Sequence, residues 1–201
     1  MKMNKAVSPM FTVVVAIIVA IVSIGVGIYT YLYYNQLVSG PSTGAGTATT
    51  TTGPKQIPLS YDNASKTVYL YLVTTSGGGY TYNGTGFGKM KVYIPAGFSL
   101  FVKYTNYDSQ PHNAVLIKNS TATPTNPDIK NFGTIITVFG ASPSDYLTHL
   151  VSGGASTSGS SPPLQAGYYM ILCGVPGHAQ SGMWIDVIVG NYTQPYVVIS
   201  S

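Results

Sequence analysis

The sequence predicts an all-β domain, a Greek-key sandwich or barrel, preceded by one N-terminal transmembrane helix. From about residue 55, short β-branched and aromatic runs alternate with Gly, Pro and Asn turn residues, the pattern of many short strands. No amphipathic helical stretch interrupts that half. Ahead of it lies an uncharged apolar run long enough to cross a bilayer as a helix, which takes roughly 20 residues.

Residues 1–9 form a short N-terminus carrying Lys2 and Lys5, and no further charge occurs before Lys55. Residues 10–34 hold the apolar run, from Met10 through the Val/Ile/Ala-rich centre to Tyr29, Tyr31, Tyr33 and Tyr34. The lysines predict a cytoplasmic N-terminus, and the tyrosines suit the outer interface. A retained anchor is the reading this favours. A cleaved signal peptide is the alternative, against which stand the length of the run and its tyrosine end. Residues 35–54 are rich in Ser, Thr, Gly, Pro and Ala and uncharged, a flexible tether suited to O-glycosylation. Sequons at Asn63, Asn83, Asn119 and Asn191 are in step with a domain outside the cell.

Residues 55–201 form the β domain. Thr67–Val73 places Val68, Leu70 and Leu72 on one face, and Phe98–Tyr104 does the same with Phe98, Leu100, Val102 and Tyr104. Further strands are expected at Met90–Ile94, Ala114–Lys118, Gly133–Phe139, Tyr168–Cys173, Met183–Val189 and Tyr196–Ile199. The Ser/Gly-rich stretch from Gly153 to Pro163 reads as a long surface loop.

Charge is scarce. Nine Lys and five Asp, with neither Glu nor Arg, give a net charge of +4. No basic cluster interleaved with aromatics appears, so a nucleic-acid partner has no support. The single cysteine, Cys173, excludes an internal disulfide.

That cysteine opens the run Cys173-Gly-Val-Pro-Gly-His178-Ala-Gln-Ser-Gly-Met183. A thiol, an imidazole and a thioether follow one another at equal spacing on a loop between two expected strands. His112, in Pro111-His112, starts another strand and can come from the same end of the sandwich. Two His, one Cys and a weak axial Met are the donor set of a blue-copper centre. Singly, each residue also has a plain structural role: a buried cysteine, a core methionine, a surface turn histidine. Their joint spacing favours the metal reading. His149 has no partner donor nearby and reads as structural or surface.

Cys173-x-x-Pro176-Gly177-His178-x-x-x-Gly182-Met183 resembles the ligand loop of the cupredoxins, the rusticyanin-like members and the sulfocyanins above all. Pro111-His112-Asn113 resembles the upstream His segment of plastocyanin-like members. The likeness covers roughly residues 85–190. It implies a cupredoxin-like fold and one type 1 copper ion held by His112, Cys173 and His178, with Met183 axial. It further implies electron transfer in an aerobic respiratory chain, with a cytochrome complex or terminal oxidase in the same membrane as redox partner. Asn113 departs from rusticyanin, where a serine follows this His. It is a candidate for a bond across to the Cys173 loop, or else a plain strand-edge residue. His178 is expected to be the solvent-facing ligand and electron port, with Pro111, Val175 and Pro176 as a docking surface. Val175, Pro176 and Trp184 are apolar neighbours that favour Cu(I) over the more highly charged Cu(II) and so a high reduction potential.

The leading function is therefore a membrane-anchored, extracellular blue-copper electron carrier and not an enzyme. Multicopper oxidases need paired His motifs, and a binuclear copper centre needs two cysteines; neither set exists in this chain. A copper-delivery protein and a non-metal surface-binding sandwich are the alternatives.

The scarcity of carboxylates fits either a protein that works in acid or simple compositional bias. Native ion pairs lost on protonation are a main cause of acid unfolding, and five carboxylates leave little to lose. On the first reading, unfolding measured from pH 7 to pH 2 shows only a shallow decline in stability. A steep loss above about pH 4, where carboxylates titrate, contradicts it.

Overall fold

The computed structural model describes residues 54–77 and 79–200. The N-terminal segment 1–9, the apolar stretch 10–34 and all of the tether except Pro54 lie outside them. Among the described residues no helix is long and apolar enough to cross a membrane.

Alternation builds the strands. The chain runs through β1 (Gln56–Pro58), β2 (Tyr61–Asp62), β3 (Thr67–Thr75), β4 (Met90–Pro95), β5 (Ser99–Tyr107) and β6 (Val115–Asn119). It continues through β7 (Gly133–Val138), β8 (Ser156–Ser160), β9 (Gly167–Leu172), β10 (Trp184–Gly190) and β11 (Tyr196–Ile199). Short 3-10 turns at Ile129–Asn131 and Pro143–Asp145 are the helical elements among the described residues. Every second residue of β3 and β5 is buried, and Val68, Leu70, Leu72, Leu100, Val102 and Tyr104 share the inward faces as the sequence predicts. Each such aliphatic side chain contributes roughly 1.5–3 kcal/mol by leaving water.

Two sheets result. One has seven strands in the order β1-β11-β4-β10-β9-β6-β7; the other has four, β2-β3-β5-β8. β3 and β5 are parallel neighbours, as are β4 and β10. Parallel strands cannot be joined by a hairpin. The chain therefore crosses from β3 to β4 in the opposite sheet and back to β5, interleaving the sheets as expected of a Greek-key sandwich. Between them lies the main core, with Val68, Leu100 and Val102 facing Val92, Ile171, Ile185 and Val187.

The half of the larger sheet around β6 and β9 is buried on both faces. Leu116 and Ile171 point into the main core, while Val115, Ile117, Met170 and Leu172 join a second cluster closed by Ile129, Phe132 and Tyr146. A strand covered on both sides reads as a continuous apolar run rather than an alternating one, hence Val115-Leu-Ile117 and Met170-Ile-Leu172. This doubly clamped part of the sheet carries the cysteine.

One expectation fails. The stretch 153–163 is not a long loop, since its centre, Ser156-Thr-Ser-Gly-Ser160, is β8, antiparallel to β5 with Lys103 opposite Ser158. No apolar residue marks it, because β8 is an edge strand whose side chains are exposed or half-buried. Its order comes from the free edge of β5 and from Thr157, whose hydroxyl donates to the Phe139 carbonyl at 3.3 Å. The brief strands β1 and β2 were likewise not expected: β2 is exposed, and β1 offers the core only half-buried Ile57.

Candidate metal centre

Strand register assembles the centre. Val115 lies opposite Leu172 in the β6–β9 pair, and Trp184 opposite Leu172 in the β10–β9 pair. Continuing both registers past the strand ends sets Cys173 against Met183 and Asn113 against Gly174. Hydrogen bonds bear this out. The Cys173 N–H donates to the Met183 carbonyl at 3.1 Å, and the Gly174 N–H donates to Asn113 Oδ1 at 2.7 Å. The loop between β9 and β10 then turns tightly, with Met183 N–H donating to the His178 carbonyl at 3.0 Å. His112 comes from the other side, bridging Val151 through backbone bonds of 3.2 and 2.7 Å.

His112, Cys173 and His178 offer Nδ1 or Nε2 and Sγ atoms that all lie within 4.8 Å of one another. Cys173 Sγ is 3.5 Å from His178 Nδ1 and 3.8 Å from His112 Nδ1, and the two Nδ1 atoms are 3.1 Å apart. Met183 is fully buried in the core cluster that holds Cys173. Both imidazoles aim the same nitrogen at the sulfur, which is the convergence a metal ion needs. A thiolate and two imidazoles suit copper and zinc, and a thioether beside them matches the three-plus-one set of blue copper. The residues present therefore fit the copper ion that the sequence resemblance implies.

Burial sets the charge states. The Cys173 thiol is pushed up to about 11, chiefly by desolvation, although backbone N–H groups of Asn113 and Val175 favour its thiolate. A bound cation overrides this, because a coordinating thiol is deprotonated outright. His178 is lowered to about 4, first by desolvation and then by the neighbouring His112. Its imidazole is therefore neutral above about pH 4, with a lone pair free for a metal. His112 is fully buried, whereas His178 is half-buried and reaches the surface beside exposed Pro176.

The supporting residues are precisely held. Asn113 is fully buried; its Nδ2 donates to the Tyr146 carbonyl at 2.7 Å and the His149 carbonyl at 3.2 Å. Tyr82 donates its hydroxyl to the Asn113 carbonyl. A Cβ on Gly174 would sit 2.5 Å from the Tyr146 carbonyl, so only glycine fits there. Gly182, at φ +112°, lets the ring of Phe87 lie against the loop's end, 2.5 Å from where a Cβ would stand. His149 contributes its carbonyl to Asn113, and its ring pairs with Thr157 at 3.3 Å. It is structural, outside the donor cluster.

Two neighbours escape a reading of the sequence. Tyr80 packs on His178 with ring centroids 4.3 Å apart and meets His112 edge-on at 6.3 Å; among 17 tyrosines nothing singles it out. Asp108 Oδ2 lies 3.0 Å from His112 Nε2, and a carboxylate four residues before a histidine in a chain so poor in charge was a visible signal. Hydrogen bonding from His112 holds the Asp108 carboxyl below the usual carboxylate range. Of the expected apolar neighbours, Val175 packs on the cluster that contains Cys173, whereas Trp184 belongs to the second cluster. Trp184 follows Met183 directly, and successive strand residues face opposite ways.

Comparison with known proteins adds the following. The chain matches the family model described as "Sulfocyanin (SoxE) domain" over residues 54–199 and that described as "Sulfocyanin, N-terminal" over residues 4–53. It is 46% identical over 143 residues to the sulfocyanin of Sulfolobus acidocaldarius, covering 69% of this chain and 72% of that one. Among solved structures it is similar to auracyanin A, a "blue" copper protein of Chloroflexus aurantiacus, at 20% identity and TM-score 0.44, covering 62% of this chain and 99% of that one. Rusticyanin of Thiobacillus ferrooxidans gives 19% identity and TM-score 0.43, covering 66% of this chain and 86% of that one.

Replacing Asn113 by Ala removes three side-chain hydrogen bonds and leaves the Gly174 N–H and the Tyr146 carbonyl without their partner. At about 1–3 kcal/mol for each buried unpaired group, Asn113→Ala is expected to lose on the order of 3 kcal/mol in urea denaturation. A loss under about 1 kcal/mol, in the range of ordinary surface substitutions, contradicts the bridging role.

Proposed function

This chain belongs to the sulfocyanin family, and from that premise we propose that it is a single-copper electron carrier. His112, Cys173 and His178 would hold the ion, with Met183 as a weaker fourth donor. The observation that carries this reading is the convergence of two imidazoles and one buried thiol within 4.8 Å at the end of a doubly covered sheet. Bound copper supplies a one-electron Cu(II)/Cu(I) couple.

The protein's own residues do the rest. Cys173 gives up its proton on binding, so loading releases a proton. Asn113, Gly174 and the strand register hold the donors in place, which keeps rearrangement small between charge states. Burial of Cys173, His112 and Met183 keeps water from the donors, and that low polarity favours the less charged state, hence a high reduction potential. His178, half-buried under Tyr80, is the electron port. Exposed Pro111 and Pro176 and half-buried Val175 form the surface around it for a redox partner.

Residues 10–34 anchor the chain in the membrane and residues 35–54 tether the copper domain on the extracellular side. This placement is supported by the uncharged apolar run and the flanking lysines. It suits exchange of single electrons with a membrane-bound cytochrome complex or terminal oxidase of an aerobic respiratory chain.

Adding Cu(II) to the purified full chain is expected to produce an intense thiolate-to-copper charge-transfer band that is absent from Cys173→Ser. No band in the native chain, or a band that survives in Cys173→Ser, contradicts the reading. Rapid reversible reduction with copper retained supports a carrier; ready transfer of the copper to an acceptor protein supports a delivery protein instead.

A further inference from the structure

We propose that Asp108 is a positioning and charge-tuning residue of the centre: its carboxylate fixes the tautomer and ring orientation of His112 and biases the centre toward its more highly charged state. The proposal rests on the copper reading above and goes beyond the donor set.

An ionised carboxylate only accepts hydrogen bonds. At 3.0 Å from Asp108 Oδ2, His112 Nε2 must therefore carry the proton. A neutral His112 then presents its bare Nδ1 to Cys173 and His178, which is the nitrogen a metal needs. The carboxylate thus settles which lone pair His112 turns toward the donor cluster.

Asp108 is itself held. Its N–H donates to Asn106 Oδ1 at 2.9 Å, and its Oδ1 accepts from the Ser109 N–H at 2.7 Å. Asn106 is fully buried, and its Oδ1 also accepts from the Thr74 hydroxyl at 2.6 Å. Asn106 Nδ2 donates to the carbonyls of Gln110 and Val151 at 2.7 and 2.8 Å, and Val151 is the residue that bridges His112. Asp108 and His112 thus stand on one hydrogen-bonded frame anchored in the core. The side chains of His112 and Asp108 are 1% and 20% exposed, so water screens their interaction only in part. In a chain with five carboxylates, one of them is set against the buried imidazole of the centre.

The consequence is electrostatic. An anionic acceptor polarises the imidazole more than a neutral carbonyl does, making it a more basic donor. One imidazole away from the donor cluster, its negative charge would stabilise bound Cu(II) more than Cu(I). Asp108 thereby offsets part of the upward pull that burial exerts on the potential.

Asp108→Asn separates charge from shape, because the amide oxygen can still accept from Nε2. In the full chain, removing a partner of this kind costs typically about 10–100-fold in metal affinity. Falling on Cu(II) and not on Cu(I), that loss raises the midpoint by about 60–120 mV, at 59 mV per tenfold for one electron. The expected result is such a rise in Asp108→Asn with the charge-transfer band and melting behaviour of the native chain retained. An unchanged midpoint overturns the proposal, whatever Asp108→Ala does, and leaves the copper reading standing. A metal-free readout is independent of loading: 15N spectra of the histidines should show His112 protonated at Nε2 in the native chain and losing that preference in Asp108→Ala. Protonation at Nδ1 in the native chain overturns the proposal. No charge-transfer band in the native chain overturns both the copper reading and the proposal.

Discussion

The carboxamide of Asn113 binds together the two chain segments on which the centre depends. Its oxygen accepts from the Gly174 N–H, one residue past the cysteine, and its nitrogen donates to the carbonyls of Tyr146 and His149. Asn113 itself follows His112. One fully buried side chain therefore fixes the spacing between the upstream histidine and the cysteine loop. In an apolar setting such bonds are stronger than in water, and leaving any of them unmade is costly. Gly174 belongs to the same device, because a side chain there would collide with the Tyr146 carbonyl. The bond also lies where the β6–β9 register leads, so the sheet and the amide impose the same geometry.

Around this bridge the molecule supplies stiffness from one side and access from the other. The strands that deliver Cys173 are packed on both faces, which leaves the cysteine no room to shift. His112 is tied to Val151 and to Asp108, both of which connect to the buried Asn106. His178 stands on a turn whose outer residue, Pro176, is exposed, with Tyr80 across its ring. The arrangement suits a group that must exchange something with the outside while its surroundings stay still.

Much of this was legible in the chain. β3 and β5 declared themselves by alternation, since each presents one face to the core and one to solvent or a flank. The run from Cys173 to Met183 was legible because donors at the two ends of a hairpin loop are set opposite each other by strand pairing. Asn113 was readable as a bridging candidate because it follows a histidine at a strand start. β8 was not legible: Ser156–Ser160 has no apolar face, and its conformation is dictated by the open edge of β5, which no local pattern encodes. Nor was the role of Tyr80, whose position depends on where the 79–88 segment crosses the ends of the sheets. Trp184 was assigned to the surroundings of the donors from proximity in sequence, yet the pleat turns it to the other face. β8 and Tyr80 were missed because long-range packing places them, whereas Asp108, just past the end of β5 and four residues before His112, was missed although a local signal marked it.

Strand register and the Asn113 bridge place the donors. Crystal structures of the metal-free, Cu(I) and Cu(II) forms are the decisive measurement. Cys173 Sγ and the two Nδ1 atoms are expected to differ by less than about 0.5 Å among the three forms, the tolerance of a preorganised site. That placement requires the Asn113–Gly174 hydrogen bond in all of them. Rotation of either imidazole out of the cluster in the metal-free form, or opening of the 174–182 loop with loss of that bond, would contradict it.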